Sequence, residues 1–153
     1  MRILFVCLGN ICRSPMAHGL MRHKVAGLDN IHNDSAGTSS WHESEPPDPR
    51  AIKTLKDFGI DISDLRSRPV IEDDFKRFDI IYAMDESNLE NLLKMKSKYQ
   101  IEGGAQIKLI LSELDSHELT SVPDPYFGGD QGFYLVHDLL DRTTDNILQS
   151  ILK

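Results

Sequence analysis

Cys7-Leu8-Gly9-Asn10-Ile11-Cys12-Arg13-Ser14-Pro15 puts a sulfur nucleophile six positions before a guanidinium, with Gly-Asn between them and Ser-Pro after. A curled loop of that composition suits one task, holding a tetrahedral dianion of phosphate shape and attacking it. Only the thiolate of a cysteine is a good nucleophile, and a free thiol titrates near ~8.5. Inward-pointing backbone N–H groups, the positive end of a following helix, the charge of Arg13 and the hydroxyl of Ser14 all favour the charged sulfur. The same donors would then bind phosphoryl oxygens. Arginine suits this better than lysine, because its planar fork offers two parallel hydrogen bonds. Gly9 permits close approach of the backbone or a positive φ, and Asn10 tolerates the left-handed region. Ser14 and Pro15 read as an N-cap and first helical residue. The bland alternative is a small buried cysteine at a strand end.

Expelling an alkoxide or phenoxide from phosphorus calls for a proton donor, an effect worth ~10²–10⁴-fold. Asp124 is the candidate, held stiffly between Pro123 and Pro125 and followed by Tyr126 and Phe127, which could shield it from water. Pro-Asp-Pro is equally good turn chemistry. Trp41, Tyr126 and Phe127 are loop aromatics fit to wall a deep apolar pocket, with Leu8 and Ile11 projecting from the cysteine loop itself. Cys12 reads either as a small buried side chain or as a redox partner of Cys7. Asp85 reads most simply as a helix cap, and Asp48-Pro49-Arg50 as structural. The six histidines form no cluster and read as surface residues. No Cys/His spacing suggests zinc.

These residues need a scaffold, and the pattern supplies one. Ile3 to Leu8 reads as a buried strand and Pro15 to about Val25 as a helix with Met16, Leu20 and Met21 on one face. Ile31 to Ala36, Phe78 to Met84 and Ile107 to Leu111 read as further strands. Asp48-Pro49 opens a helix whose inner face is Ile52, Leu55 and Phe58 and which Gly59 ends. Asp85 opens another, bearing Leu89, Leu92 and Leu93. Gly103-Gly104 and Ser121 to Gly132 are loops. Val136, Leu139, Leu140, Ile147, Leu148 and Ile151 mark a long closing helix. Alternating strands and helices predict an α/β fold, a parallel sheet with helices on both faces, its site at the carboxyl ends of the strands.

Composition agrees. A chain of 153 residues, 40% hydrophobic and 27% charged, predicts one soluble domain spanning 1–153. A net charge of −7 argues against nucleic acid as a partner. No apolar run approaches the ~20 residues of a membrane span, and the first apolar stretch is too short for a signal peptide. Two cysteines make no disulfide framework and predict a reducing, cytoplasmic home.

The loop Cys7 to Pro15 resembles the phosphate-binding loop of the low-molecular-weight protein tyrosine phosphatases. The likeness spans the chain: Ser35-Ala36-Gly37-Thr38, Asp48-Pro49-Arg50-Ala51, Met84-Asp85-Glu86-Ser87-Asn88 and Asp124-Pro125-Tyr126 follow in that family's order. The resemblance implies a three-layer fold with strand order 2-1-3-4. It implies a phosphocysteine on Cys7, phosphoryl binding by Arg13 and the loop Leu8 to Ser14, and Asp124 as general acid and base. It implies that Asn10, Ser14 and Asp85 support the loop and its arginine from behind. It supports the redox reading of Cys12: peroxide would convert Cys7 to a sulfenic acid that condenses with the Cys12 thiol, releasing water, a dithiothreitol-reversible link visible by mass spectrometry. The partners implied are phosphotyrosine-containing proteins or peptides, with inorganic phosphate as product, no cofactor, no metal, and a monomer.

Ile11 favours phosphotyrosine, since similar protein-arginine phosphatases carry threonine there. An arsenate reductase of the same fold would need a further cysteine pair, and no cysteine follows Cys12. A non-catalytic phosphopeptide binder would not need Asp124. Two departures stand out. Leu65 occupies the position where the family commonly has a loop-tethering histidine, which predicts a less rigid loop with Asn10 and Ser14 short of a partner. Phe127 stands where tyrosine is frequent.

Overall fold

The computed structural model describes residues 1–114 and 119–153. Four strands, β1 (Arg2–Cys7), β2 (His32–Gly37), β3 (Ile80–Ala83) and β4 (Gln106–Leu109), form one sheet in the order β2-β1-β3-β4. Every neighbouring pair is parallel, with Val6 opposite both Ala36 and Ala83. This is the α/β arrangement and strand order expected. The helices described are α1 (Arg13–Lys24), α2 (Pro49–Lys56), α3 (Asp74–Arg77), α4 (Glu86–Lys98) and α5 (Asp130–Leu152), with a 3-10 turn at Ile110–Glu113.

Strand β1 carries the architecture. Its side chains alternate between two buried layers, as the period of two requires. Ile3, Phe5 and Cys7 join a cluster with Met16 and Leu20 of α1 and Phe133, Val136 and Leu140 of α5. Leu4 and Val6 join a second cluster with Val70, Phe75 and Leu92 on the opposite face. Both faces of the sheet are therefore covered. The chain passes from β1 to β2 on one side and then to β3 on the other. That reversal opens a crevice at the carboxyl end of β1, flanked by the segments that leave β1 and β3.

Several local expectations are corrected. Helix α1 starts at Arg13, two residues earlier than Pro15, and Cys12 caps it without a side-chain hydrogen bond. Ser14 is therefore not the N-cap. Proline is tolerated within the first turn, where its missing N–H would have no helical partner anyway. The apolar run Ile107 to Leu111 is not all strand: Ile110 and Leu111 bury themselves from the 3-10 turn, and apolarity alone does not separate these geometries. Strand β3 is shorter than Phe78 to Met84, and the four-residue α3 has no counterpart in the sequence pattern. Phe58 is 48% exposed beyond the end of α2, where its ring stacks on His137 at 3.6 Å. Leu93 also faces outward. His18 and His137 are buried, contrary to the surface reading of the histidines. Among the described residues, no helix is long and apolar enough to cross a membrane.

Candidate active site

Cys7 closes β1, and the loop that follows it is fastened from outside by its carbonyls. The Cys7 carbonyl accepts from Thr38 N at 2.9 Å, and the Ile11 carbonyl from Asp48 N at 2.8 Å. Leu8 O accepts from both the backbone N and the Oγ of Ser39, each at 3.0 Å. Gly9 O accepts from Ser67 Oγ at 3.0 Å. A peptide plane whose carbonyl points outward aims its N–H inward, so the loop becomes a nest of donors around the sulfur. Asn10 N already donates to Cys7 Sγ at 3.3 Å.

The positive φ of the loop, 57°, falls on Asn10. Gly9 serves clearance instead: a Cβ there would lie 3.0 Å from the His42 ring. Gly37 does the same job from β2, since a Cβ there would lie 2.7 Å from Leu8 O. Asn10 Nδ2 donates to Ser14 Oγ at 2.7 Å, and Asn10 Oδ1 accepts from Arg68 N at 3.0 Å. Ser14 Oγ lies 3.0 Å from Cys7 Sγ and 3.4 Å from Ala36 O. Asn10 donates to Oγ, so the single hydroxyl proton is shared between the Cys7 sulfur and the Ala36 carbonyl, of which the sulfur is the nearer. The tether that Leu65 cannot provide is thus made by Ser67 and Arg68, and Leu65 packs against the apolar cluster of α1 and α5. The expected shortage of partners at Asn10 and Ser14 does not arise. Arg68 is itself fixed by Asp74 and Asp34 at 2.9 and 3.0 Å.

Arg13 is 3% exposed. Its Nη1 donates to Asp85 Oδ2 at 2.7 Å and to Val122 O at 3.1 Å. Burial opposes its charge, but the Cys7 sulfur, Asp85 and Asp124 outweigh that and hold it above the ordinary arginine value. Asp85 does two things at once, because its Oδ1 also caps α4 by accepting from Asn88 N at 2.7 Å. It joins the start of α4 to the guanidinium of Arg13.

Asp124 sits across the crevice, its Oδ2 3.6 Å from Arg13 Nη2. Its Oδ1 accepts from Tyr126 N at 3.1 Å, as the turn reading requires, while Oδ2 faces the cleft's arginine. The aromatics do not shield it. Tyr126 and Phe127 pack edge to face at 5.0 Å as an outward rim, with Phe127 91% exposed, and the carboxyl at the mouth stays 39% exposed.

One cleft of about 550 Å³, its open mouth included, is lined by Cys7, Leu8, Gly9, Ile11, Cys12, Arg13, Trp41, His42, Asp124, Tyr126 and Phe127. All the nominated wall residues reach it. His42, which hydrogen-bonds Glu45, was not nominated. Its only signal in the sequence was its place next to Trp41. Both cysteines are free. Burial first, and then Asp48, Cys7 and Asp124, push the Cys12 thiol far above the ordinary cysteine value, so Cys12 stays protonated. Among the described residues, no group of three or more His, Cys, Asp or Glu side chains is arranged to hold a metal ion.

Comparison with known proteins extends these observations. Residues 2–153 match the family model described as low molecular weight phosphotyrosine protein phosphatase. A protein of that name from Schizosaccharomyces pombe is 43% identical over 156 residues, covering 98% of this chain and 96% of its own. The crystal structure of a protein tyrosine phosphatase from Entamoeba histolytica, with Hepes in its active site, matches with a TM-score of 0.88 at 38% identity, covering 99% of this chain and 97% of its own. The Drosophila arginine phosphatase matches with a TM-score of 0.95 at 34% identity, covering 100% of this chain and 99% of its own.

Proposed function

The chain belongs to the low molecular weight phosphotyrosine protein phosphatase family, and from that premise we propose that it hydrolyses phosphotyrosine in proteins and peptides through a phosphocysteine on Cys7. The observation that carries this reading is the convergence of Cys7, Arg13 and Asp124 on one apolar-walled cleft.

The cycle has two steps. Cys7 thiolate attacks phosphorus in line, the P–O bond to the tyrosyl oxygen breaks, and Asp124 gives that oxygen its proton. Arg13 and the inward loop amides hold the three equatorial oxygens, and the Nε–Nη2 edge of the guanidinium meets two of them while Asp85 and Val122 steady Nη1. Asp124, now a carboxylate, takes a proton from water. The hydroxide oxygen bonds phosphorus, the S–P bond breaks, and inorganic phosphate leaves with the thiolate restored.

A second reading, a protein-arginine phosphatase, draws on the Drosophila arginine phosphatase, which superposes closely. Ile11 weighs against it. A phosphoguanidinium brings N–H groups that need acceptors, whereas Ile11, Leu8 and Trp41 offer apolar surface suited to a phenyl ring. Hydrolysis of phosphotyrosine, phosphoarginine and phosphoserine peptides separates these readings. Phosphotyrosine should be preferred, Cys7→Ser should show no turnover, and Arg13→Ala should lose at least ~10²-fold in kcat/KM. Preference for phosphoarginine would overturn the substrate assignment, and turnover by Cys7→Ser the mechanism.

A further inference from the structure

Arg50 lies outside the cleft lining, yet its side chain spans two segments that the reaction must hold together. On one side its Nε and Nη2 donate to Asp48 Oδ1 and Oδ2, each at 3.0 Å. Asp48 is no free-swinging partner. Its Oδ1 also caps α2 by accepting from Arg50 N at 2.8 Å, and its own N–H grips Ile11 O of the cysteine loop at 2.8 Å. On the other side, Arg50 Nη2 donates to Tyr126 O at 2.9 Å and Nη1 to Gly128 O at 3.0 Å. The guanidinium lies 4.7 Å from the centre of the buried Phe133 ring, which limits its rotation.

The segment Asp124 to Gly129 needs such an anchor. Its internal hydrogen bonds, Tyr126 N to Asp124 Oδ1 and Gly128 N to Pro125 O, shape the turn but tie it to nothing. Among the described residues, its hydrogen bonds to other elements are those from Arg50 and, at its far end, the one from Gly132 N of α5 to Gly129 O at 3.1 Å. The remaining link is the 3.6 Å approach of Asp124 to Arg13.

We propose that Arg50 is a positioning residue that fixes the Asp124 loop against the cysteine loop through Asp48, so that the acid is aimed at the leaving oxygen. The proposal rests on Asp124 being the acid. A misplacement of about 1 Å costs on the order of 10²-fold in a reaction that depends on alignment. Only substrates whose leaving oxygen needs a proton would feel that loss.

The test is kcat/KM, which reports the step that expels the leaving group, on a phosphotyrosine peptide and on 2,4-dinitrophenyl phosphate. Arg50→Met removes the donors, and Arg50→Lys keeps charge but not the fork. Both should lose ~10-fold or more on phosphotyrosine and less than ~3-fold on the activated ester. Inhibition by vanadate should be unchanged, because the cysteine loop keeps its other tethers. In an Asp124→Asn background, Arg50→Met should cost nothing further on phosphotyrosine. Equal losses on both substrates, losses that multiply in the double variant, or no loss on either would overturn the role of Arg50. If Asp124→Asn alone shows no leaving-group selectivity, the acid assignment falls first and the role of Arg50 with it. Should Arg50→Met not fold, Arg50→Lys carries the same comparison.

Discussion

Asp85 divides its two carboxylate oxygens between a helix and an arginine, and substitution can separate the two tasks. Oδ1 caps α4, while Oδ2 holds Arg13. Asp85→Ala removes both, so stability should fall by about 1 kcal/mol, the usual worth of an N-cap, and kcat/KM should fall ~10-fold as Arg13 loses its aim. Asp85→Ser keeps a capping oxygen but cannot reach the guanidinium. Urea melts should put it near the parent protein, while kcat/KM stays low; full activity in Asp85→Ser would show that Arg13 needs no such anchor. Cys7, Arg13 and Asp124 were legible in the sequence as residues of one cleft, the first two because they share one short loop and the third because two prolines pin it. His42 and Arg50 were not. Arg50 acts on carbonyls 76 and 78 residues away, and no local pattern marks a side chain whose partners lie at that separation.

At the scale of elements, the site depends on how closely β2 approaches the cysteine loop. Gly37 faces Cys7 in the β1–β2 register, and a methyl group at Gly37 would press on Leu8 O at 2.7 Å and Ser39 O at 3.1 Å. Both atoms are backbone and cannot swing aside. Gly37→Ala should therefore push the loop inward, costing roughly 1–3 kcal/mol of stability and weakening inhibition by inorganic phosphate. Unchanged phosphate affinity, measured by competition against an aryl phosphate, would show that the loop does not rest on β2. The long elements were readable from periodicity, and the strand order followed from resemblance rather than from any spacing. Helix α3 and the 3-10 turn were unreadable for a physical reason. At four residues each they are too short to show a 3.6-residue period, and their apolar residues answer to tertiary burial.

The molecule as a whole buries two histidines that the sequence reading placed at the surface, His18 and His137, and His18 carries a prediction about pH. His18 lies inside α1, its Nδ1 3.0 Å from Ser35 Oγ and 4.0 Å from Asp34, with Arg22, Asp64 and Arg68 near. Burial pushes its pKa down to about 4, against the opposing pull of Asp34. The folded protein therefore keeps His18 neutral at pH values where the unfolded chain protonates it. The unfolded state binds more protons below about pH 6.5, so this contribution to stability is complete above that value and is lost as pH falls towards 4. The slope from one such group is at most ~1.4 kcal/mol per pH unit. Denaturant midpoints between pH 7 and pH 4 should fall more steeply for the parent than for His18→Gln, and parallel curves would mean that His18 takes up its proton over the same pH range folded and unfolded.

The claim on which the account turns is that Cys7 carries the phosphoryl group between its two transfers. Rapid acid quench of Asp124→Asn with 2,4-dinitrophenyl phosphate, followed by peptide mass spectrometry, tests it directly, because that leaving group departs without a proton while the variant lacks the base that activates water for the second step. The peptide containing Cys7 should carry one phosphoryl group, absent from Cys7→Ser. Phosphate released with Cys7 never modified, or modification of another residue, would contradict it.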